Sequence, residues 1–365
     1  MRILYGVVGE GMGHAMRSRV VLDELTRAHQ VQVVVSGRAH DYLKARQGDR
    51  LGVTRIWGLT MVYEDNEVRK VRTVLQNVKE AFAGGLPKNV KAYFDLATHF
   101  DPEVVVSDFE TWSYLFAKSR GLPVISIDNQ QIINRCTHAP EILAGHEADL
   151  RLTRAVVKAK LPGCFHYLVT TFFYPPVRKP RTTLHPPVLR GEILAARPEP
   201  GDHLLVYQTS TSYAGLLGVL RRSGVECRVY GVRRGIQEEQ VDGNLRFRPF
   251  SEARFVEDLR TARGVLSNGG FTLMGEAVYL HKPMLSVPVR KQLEQVLNAR
   301  YLDSLGYGMA ADEVTPAALG RFLERLPDLS RALGGYRQDG NRDLLGKLAE
   351  LLAAARGQPP PAEED

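Results

Sequence analysis

The feature that most constrains the fold of this chain is an alternation of short apolar runs with helix-like segments, which occurs twice. The first series contains "RILYGVV", "VQVVVSG", "PEVVVSD" and "LPVISID", and the second contains "HLLVYQT", "CRVYGV" and "PMLSVPV". Continuous apolar runs bounded by Gly, Pro and Asp are typical of buried parallel strands joined by crossover helices. Each half of the chain is therefore predicted to be a Rossmann-like α/β unit.

A proline-rich segment, "YPPVRKPRTTLHPPVLRGEILAARPEP", separates the two series and is predicted to be an extended linker. Two units also agree with the length, because 365 residues exceed the ~250–300 at which single cores usually divide. The predicted organisation is a Rossmann-like domain over 1–173, the linker over 174–200, a second Rossmann-like domain over 201–335, a closing helix over 336–357 and a disordered tail over 358–365. The two domains should face each other across a cleft.

Composition limits the compartment and the partners. The net charge of +7 suits an anionic substrate, an anionic membrane surface or nucleic acid about equally. Because the basic residues are dispersed and form no platform with aromatic residues, nucleic acid is not an expected partner. The chain has neither a run of ~18–20 apolar residues nor the apolar region of a signal peptide, so we expect a cytoplasmic protein. The three cysteines have no zinc or disulfide spacing, and no metal site is predicted.

The segment "GEGMGHAMRS", residues 9–18, follows the first predicted strand. Glycines between a strand and a helix allow a ligand to approach the backbone closely. The dinucleotide-binding fingerprint requires a third glycine where His14 stands, so a nicotinamide cofactor is not expected. Gly11 and Gly13 are predicted to form a turn at the cleft. His14 alone could be a structural residue of its helix or a general base.

A second motif, "SNGGFTLMGEAVYLHKPMLSVPVRKQLEQVLNARYLDSLGYG", spans residues 267–308. It predicts a strand, a glycine pair and a helix that begins near Phe271 or Thr272. The exposed amides and the positive end of the helix dipole would form an anion site there. Glu276 lies further along the same helix, where a carboxylate can reach sugar hydroxyls. Glu294 and Gln295 open another predicted helix that faces the cleft.

This motif resembles the nucleotide-sugar signature of GT-B glycosyltransferases, which include the UDP-glycosyltransferases and the bacterial peptidoglycan N-acetylglucosaminyltransferase. It is most similar to an uncharacterised bacterial and archaeal branch of that group. The resemblance implies a GT-B fold and a hexosyltransferase whose first domain binds the acceptor. It assigns the diphosphate to Gly269, Gly270, Phe271 and Thr272, the ribose hydroxyls to Glu276, and the donor sugar to Glu294 and Gln295. Two positions depart from the pattern: Asn268 replaces the histidine of plant enzymes, and Leu273 replaces a hydroxyl residue for which Thr272 can substitute.

The same resemblance gives His14 a role. Inverting members have a histidine after the first glycine turn that removes the acceptor proton, and some orient it with an aspartate whose position Asp108 matches. Asp108 could instead cap the helix that follows it, and Glu10 is a second candidate carboxylate. The reaction implied is a single displacement with inversion, with no metal and no cofactor, because the nucleotide-sugar is a substrate.

Two alternatives remain open: an epimerase of UDP-N-acetylglucosamine with the same fold, and a non-catalytic nucleotide-sugar-binding protein. The expected partners are a nucleotide-sugar donor, with UDP favoured over TDP or GDP, and an unknown small-molecule or lipid acceptor. Residues 60–95 and 127–150 would shape the acceptor pocket. Peripheral membrane contact is left open, because a basic set can be a solvated helix face or can touch anionic lipid. That set is Arg151, Arg154, Lys158 and Lys160.

Overall fold

The computed structural model of the protein describes residues 1–9, 11–58, 63–64, 67–68, 72, 76–77, 79–208, 215–233 and 235–358. The strands are β1 (Arg2–Val7), β2 (Gln30–Val35), β3 (Leu51–Arg55), β4 (Tyr63–Glu64), β5 (Glu67–Val68), β6 (Val104–Asp108), β7 (Val124–Asp128), β8 (His166–Thr170), β9 (Thr182–His185), β10 (Leu204–Tyr207), β11 (Cys227–Tyr230), β12 (Gln240–Asp242), β13 (Leu245–Phe247), β14 (Gly264–Ser267), β15 (Met284–Ser286) and β16 (Gly308–Ala310).

The helices are α1 (Met12–Leu25), α2 (Ala39–Lys44), α3 (Leu86–Asp95), α4 (Thr111–Ser119), α5 (Ile132–Arg135), α6 (Pro140–Leu143), α7 (Glu147–Lys160), α8 (Gly191–Ala195), α9 (Leu216–Ser223), α10 (Glu252–Arg260), α11 (Phe271–Tyr279), α12 (Leu293–Ser304), α13 (Pro316–Leu333) and α14 (Arg342–Ala355). Short π-helical segments, Ala81–Gly85 and Leu96–Phe100, flank α3.

The first lobe is built on a parallel sheet with the strand order β3-β2-β1-β6-β7-β8-β9. Alternate residues of β1 enter different cores, because successive side chains of a strand point to opposite faces. Ile3 packs in a cluster with Val21 of α1, whereas Leu4 packs in a cluster with Phe116 of α4. Both faces are therefore covered, which explains the continuous apolar runs in the sequence.

The second lobe contains the sheet β12-β13-β11-β10-β14-β15-β16, in which only the β12–β13 pair among these strands is antiparallel. The predicted fold class, two Rossmann-like α/β units, is confirmed. In each sheet the strand order reverses beside the first strand, between β1 and β6 and between β10 and β14. Ligands of such sheets bind at the carboxyl ends of the strands at this reversal. The carboxyl ends of β1 and β6 are Val7 and Asp108, which are paired in register.

The segment predicted as a linker contributes to both lobes. Its residues Thr182–His185 form β9, the last strand of the first sheet, and its residues Gly191–Ala195 form α8. The final helix, α14, buries Leu344 and Leu348 in the same core as β1, so the chain returns to the first lobe. Most of the predicted tail, from 359 to 365, lies outside the described residues, as does part of the segment 60–95. No helix among the described residues has the length and apolarity to cross a membrane.

Candidate active site

The glycine turn brings the two lobes into contact. Gly11 is the N-cap of α1 with a φ of 82°, and Gly13 lies in the first turn of that helix. A Cβ atom on Gly13 would lie 2.6 Å from Oγ1 of Thr272 in the second lobe. Real Cβ atoms do not approach other atoms so closely, so glycine at this position allows α1 to meet the start of α11. Glu10, the second candidate carboxylate, lies outside the described residues.

His14 is hydrogen-bonded to Asp108, the aspartate with which the resemblance pairs it. Its Nδ1 lies 2.7 Å from Oδ1 of Asp108, which ends β6 and is fully buried. The His14 side chain remains 16% exposed. When Asp108 accepts a hydrogen bond from Nδ1–H, the lone pair of the neutral imidazole is on Nε2. The cap of α4 is Glu110, whose carboxylate accepts from the backbone N–H groups of Trp112 and Ser113, so Asp108 does not cap that helix.

A third residue, Arg17, completes this cluster. Its Nε donates to Oδ2 of Asp108 at 3.2 Å, and a terminal nitrogen donates to Oδ1. That terminal nitrogen also lies 2.9 Å from Nδ1 of His14, and Ser18 Oγ donates to Oδ2 of Asp108 at 2.9 Å. Burial alone would raise the pKa of Asp108, but the charges of Arg17 and His14 and their hydrogen bonds outweigh it and lower the pKa to about 2.

Sequence reasoning missed Arg17, although a signal was present. Positions three apart on a helix face the same side, so Arg17 had to lie beside His14 once His14 faced β6. An arginine on that side is buried, and a buried guanidinium needs an anion. The nearest anion is the carboxylate at the end of β6.

In the second lobe, the start of α11 lies next to the first turn of α1, which carries His14. β14 ends at Ser267, Gly269 has a φ of 101°, and α11 begins at Phe271, within the predicted range. The N-cap, Gly270, has no side chain, so it leaves the first amides of α11 without a side-chain cap. The ring of Phe271 is buried against Phe172 of the first lobe, with ring centroids 6.0 Å apart, so only its backbone can contact a ligand at the helix start.

Two helix N-termini therefore meet at the lobe interface. The N-caps of α1 and α11 are both glycines, and neither helix has an acidic residue in its first turn. Each N-terminus carries a partial positive charge and unsatisfied N–H groups. The place where Gly13 contacts Thr272 is thus suited to an anion such as a diphosphate.

Glu276 lies on α11 but is not an open carboxylate. It is only 2% exposed, and Arg190 holds it with two hydrogen bonds, Nε to Oε1 at 2.7 Å and a terminal nitrogen to Oε2 at 3.0 Å. Arg190 belongs to the segment predicted as a linker, and sequence analysis gave it no role.

Glu294 and Gln295 open α12, and their side chains have different partners. Oε1 of Glu294 accepts a hydrogen bond of 2.8 Å from Asn129, which follows β7 in the first lobe. Oε1 of Gln295 accepts from the backbone N–H of Val289 at 2.9 Å. Glu294 is therefore oriented by the opposite lobe, whereas Gln295 is tied to its own. Within the described ranges, no group of three His, Cys, Asp or Glu side chains could hold a metal ion.

Two facing Rossmann-like lobes are the arrangement of the GT-B class, and in this chain a histidine–aspartate pair and an uncapped helix start lie at their interface. The sequence model of glycosyl transferase family 1 matches residues 1–327. The chain belongs to this family, and it is a glycosyltransferase.

The chain is also similar to other glycosyltransferases, both in sequence and in fold. An uncharacterized glycosyltransferase of Methanosarcina acetivorans is 23% identical, covering 96% of this chain and 93% of the relative, and one of Methanosarcina mazei is 25% identical, covering 87% and 88%. The fold is similar to that of the kitacinnamycin glycotransferase (TM-score 0.66, 18% identity, 97% of this chain and 99% of that one). It is also similar to Arabidopsis thaliana UGT89C1 complexed with UDP (TM-score 0.65, 14% identity, 96% and 99%).

Proposed function

We propose that this glycosyltransferase moves a hexose from a UDP-linked donor to an acceptor hydroxyl, with inversion at the anomeric carbon and without a metal ion. The observation that carries the proposal is the His14–Asp108 pair beside the start of α11. His14 directly follows Gly13, whose neighbour across the lobe interface is Thr272. A base and an anion site are thereby adjacent, as a single displacement requires.

His14 acts as the general base. Asp108 holds Nδ1–H, so Nε2 accepts the proton of the acceptor hydroxyl while the acceptor oxygen bonds to the anomeric carbon. In the same step the bond from that carbon to the β-phosphate oxygen breaks, and the nucleoside diphosphate leaves with the electron pair. The nucleophile and the leaving group lie on opposite sides of the carbon, so the configuration inverts.

The leaving diphosphate is stabilised by backbone amides. Gly269, Gly270, Phe271 and Thr272 contribute N–H groups at the start of α11, and the start of α1 adds the positive end of a second helix. Fixed dipoles aimed at developing negative charge can perform the task that a metal performs in other transferases. The donor sugar is bound by Glu294 and Gln295, and the ribose by Glu276. A fold neighbour that binds UDP supports a uridine donor.

The product stereochemistry tests this mechanism. The full chain is incubated with α-linked UDP-glucose or UDP-N-acetylglucosamine and a panel of phenolic, alcoholic and lipid acceptors, with EDTA present. We expect a β-linked product by NMR and no loss of rate from EDTA. An α-linked product, or activity abolished by EDTA, would contradict the proposal. Conversion of UDP-N-acetylglucosamine into its C2 epimer without an acceptor would favour the epimerase.

An exposed face of α3 supports peripheral contact with a membrane, where a lipid acceptor would be reached. On α3, the side chains of Leu86, Val90 and Phe94 are exposed at every fourth position, with Phe94 63% exposed. Lys88 and Lys91 are exposed on the same helix. Apolar side chains flanked by basic ones bind anionic bilayers peripherally. We expect the protein to sediment with phosphatidylglycerol vesicles and Phe94→Asp to reduce sedimentation. Equal sedimentation of both proteins would contradict membrane contact through α3.

A further inference from the structure

Arg190 of the linker contacts Glu276 at the point where the linker crosses α11. Pro187 packs so closely on Gly275 that a Cβ atom there would lie 2.6 Å from Cβ of Pro187. The linker can therefore lie directly on the helix, and three residues later Arg190 reaches Glu276. Both side chains are almost fully buried. The arrangement is a bidentate fork, since Nε and a terminal nitrogen each bond a different carboxylate oxygen.

We propose that Arg190 is a positioning residue that fixes the plane of the Glu276 carboxylate for the two ribose hydroxyls of the donor nucleotide. This inference rests on the proposed function, in which Glu276 binds the ribose. A carboxylate offers about four lone-pair sites on two oxygens, so a bidentate arginine leaves an acceptor site on each oxygen. Adjacent hydroxyls of a ribose can donate to those two sites when the carboxylate cannot rotate.

Arginine is required for this role because of its geometry. Its planar guanidinium matches a carboxylate with two parallel hydrogen bonds, whereas a lysine ammonium supplies the same charge from one point. Lysine at position 190 would neutralise Glu276 but would not hold its plane. The substitution Arg190→Lys therefore separates positioning from charge neutralisation.

Arg190 also connects the ribose site to the helix that carries His14. Its Nη1 lies 3.4 Å from Oε1 of Glu252, and Arg19 of α1 lies 3.4 Å from Oε2 of the same carboxylate. Arg19 also donates two hydrogen bonds to Glu192, at 2.6 and 2.5 Å. These contacts join α1 to α8 of the linker and to α10, through a buried arginine and two partly exposed carboxylates. Glu276 is thus linked through Arg190 and Glu252 to Arg19 of α1 in the first lobe.

A comparison of UDP with 2′-deoxy-UDP tests the inference, because the deoxy ligand lacks one hydroxyl that Glu276 would accept. By calorimetry, the wild-type protein should bind UDP about tenfold more tightly than 2′-deoxy-UDP, the usual effect of a hydrogen bond to a charged group. In Arg190→Lys the preference should nearly disappear, while the affinity for 2′-deoxy-UDP changes little. The matched control is Arg260→Lys, which breaks an exposed fork to Glu257 on α10 and should leave the preference intact.

The outcomes separate this inference from the proposed function. No binding of UDP by the wild-type protein would overturn the proposed donor, and binding without preference would overturn the ribose role of Glu276. A wild-type preference that Arg190→Lys retains would overturn only the role of Arg190. If Arg190→Lys does not fold, a crystal structure of the wild-type protein with UDP decides. We expect the fork to be retained with both ribose hydroxyls on Glu276, and an Arg190 turned away from Glu276 would overturn the inference.

Discussion

Each lobe fixes a buried carboxylate with a buried arginine, but the two pairs are built from different parts of the chain. In the first lobe, Arg17 lies one turn after His14 on α1, and Asp108 bonds both residues. In the second lobe, Arg190 comes from the linker, 86 residues before Glu276. The first pair is assembled by one helix against one strand, whereas the second depends on how the linker crosses α11.

The difference in construction corresponds to a difference in task. The Asp108–Arg17 pair contacts Nδ1 of His14, a histidine that exchanges a proton in the proposed reaction. In the same proposal, the Glu276–Arg190 pair faces ribose hydroxyls that are bound and released unchanged. Substitutions in the first pair should therefore lower the rate of the chemical step, whereas substitutions in the second pair should lower the affinity for the donor.

The largest expected effect is the loss of kcat in His14→Ala, and comparison with Glu276→Ala distinguishes proton transfer from donor binding. His14→Ala should lower kcat by about 10²–10⁴, the usual contribution of a general base, with the affinity for UDP unchanged. Glu276→Ala removes the acceptor of both ribose hydroxyls, so it should weaken UDP binding by more than about tenfold and leave the rate at saturating donor much closer to that of the wild-type protein. Steady-state kinetics with varied donor, together with UDP titrations, measure both. The comparison fails if His14→Ala loses UDP binding or if Glu276→Ala loses only kcat.

A second prediction concerns stability. Arg17→Met leaves Asp108 as a buried charge without its arginine, which typically costs about 3–5 kcal/mol of the free energy of unfolding. Urea denaturation at neutral pH measures the loss. The control is Arg27→Met, just beyond the same helix, because Arg27 forms an exposed pair with Glu24 and such pairs contribute about 0–1 kcal/mol. Equal effects of the two substitutions would show that the buried pair is not a structural element of the first lobe.

The pH dependence of Asp108 gives a smaller effect with a defined sign. Its pKa of about 2, compared with an ordinary value of 3.8, is depressed in the folded state, and this contributes about 2 kcal/mol to stability at neutral pH. A depressed pKa stabilises the protein fully above the unfolded value, and the contribution is lost as the pH falls from about 4 to 2. The stability difference between the wild-type protein and Asp108→Asn should therefore shrink over this range in denaturation experiments. A difference that stays constant from pH 6 to pH 2.5 would contradict the assignment.

The sequence predicted the elements well because they depend on local patterns. Continuous apolar runs identified the parallel strands, and the glycine pair predicted a helix start near Phe271 or Thr272, where α11 begins at Phe271. The same kind of pattern could not decide the role of Asp108, since an aspartate between a strand and a helix fits both a cap and a catalytic partner. The structure assigns the cap to Glu110, two residues later.

The partners of Glu276 and Glu294 could not be predicted, because they come from distant segments. Arg190 lies in a proline-rich stretch whose composition indicates only extended chain. Asn129 was included in a segment expected near the acceptor, but its hydrogen bond to Glu294 crosses the interface between lobes. Such contacts depend on the relative position of two domains, and neither propensity nor periodicity in one sequence contains that information.

The smallest predicted effect tests whether the start of α1 in the first lobe must meet the start of α11 in the second. Gly13→Ala should raise the stability of α1 slightly, because alanine is a better helix former than glycine by about 1 kcal/mol. Its methyl group would collide with Oγ1 of Thr272, so donor turnover should fall about tenfold if the collision costs about 1.4 kcal/mol. Thr272→Ala alone serves as the control, and the double substitution should recover part of the lost activity, since the colliding atom is removed. A double variant no better than the product of the two single ones would mean that Gly13 matters for α1 itself and not for the meeting of the two helix starts.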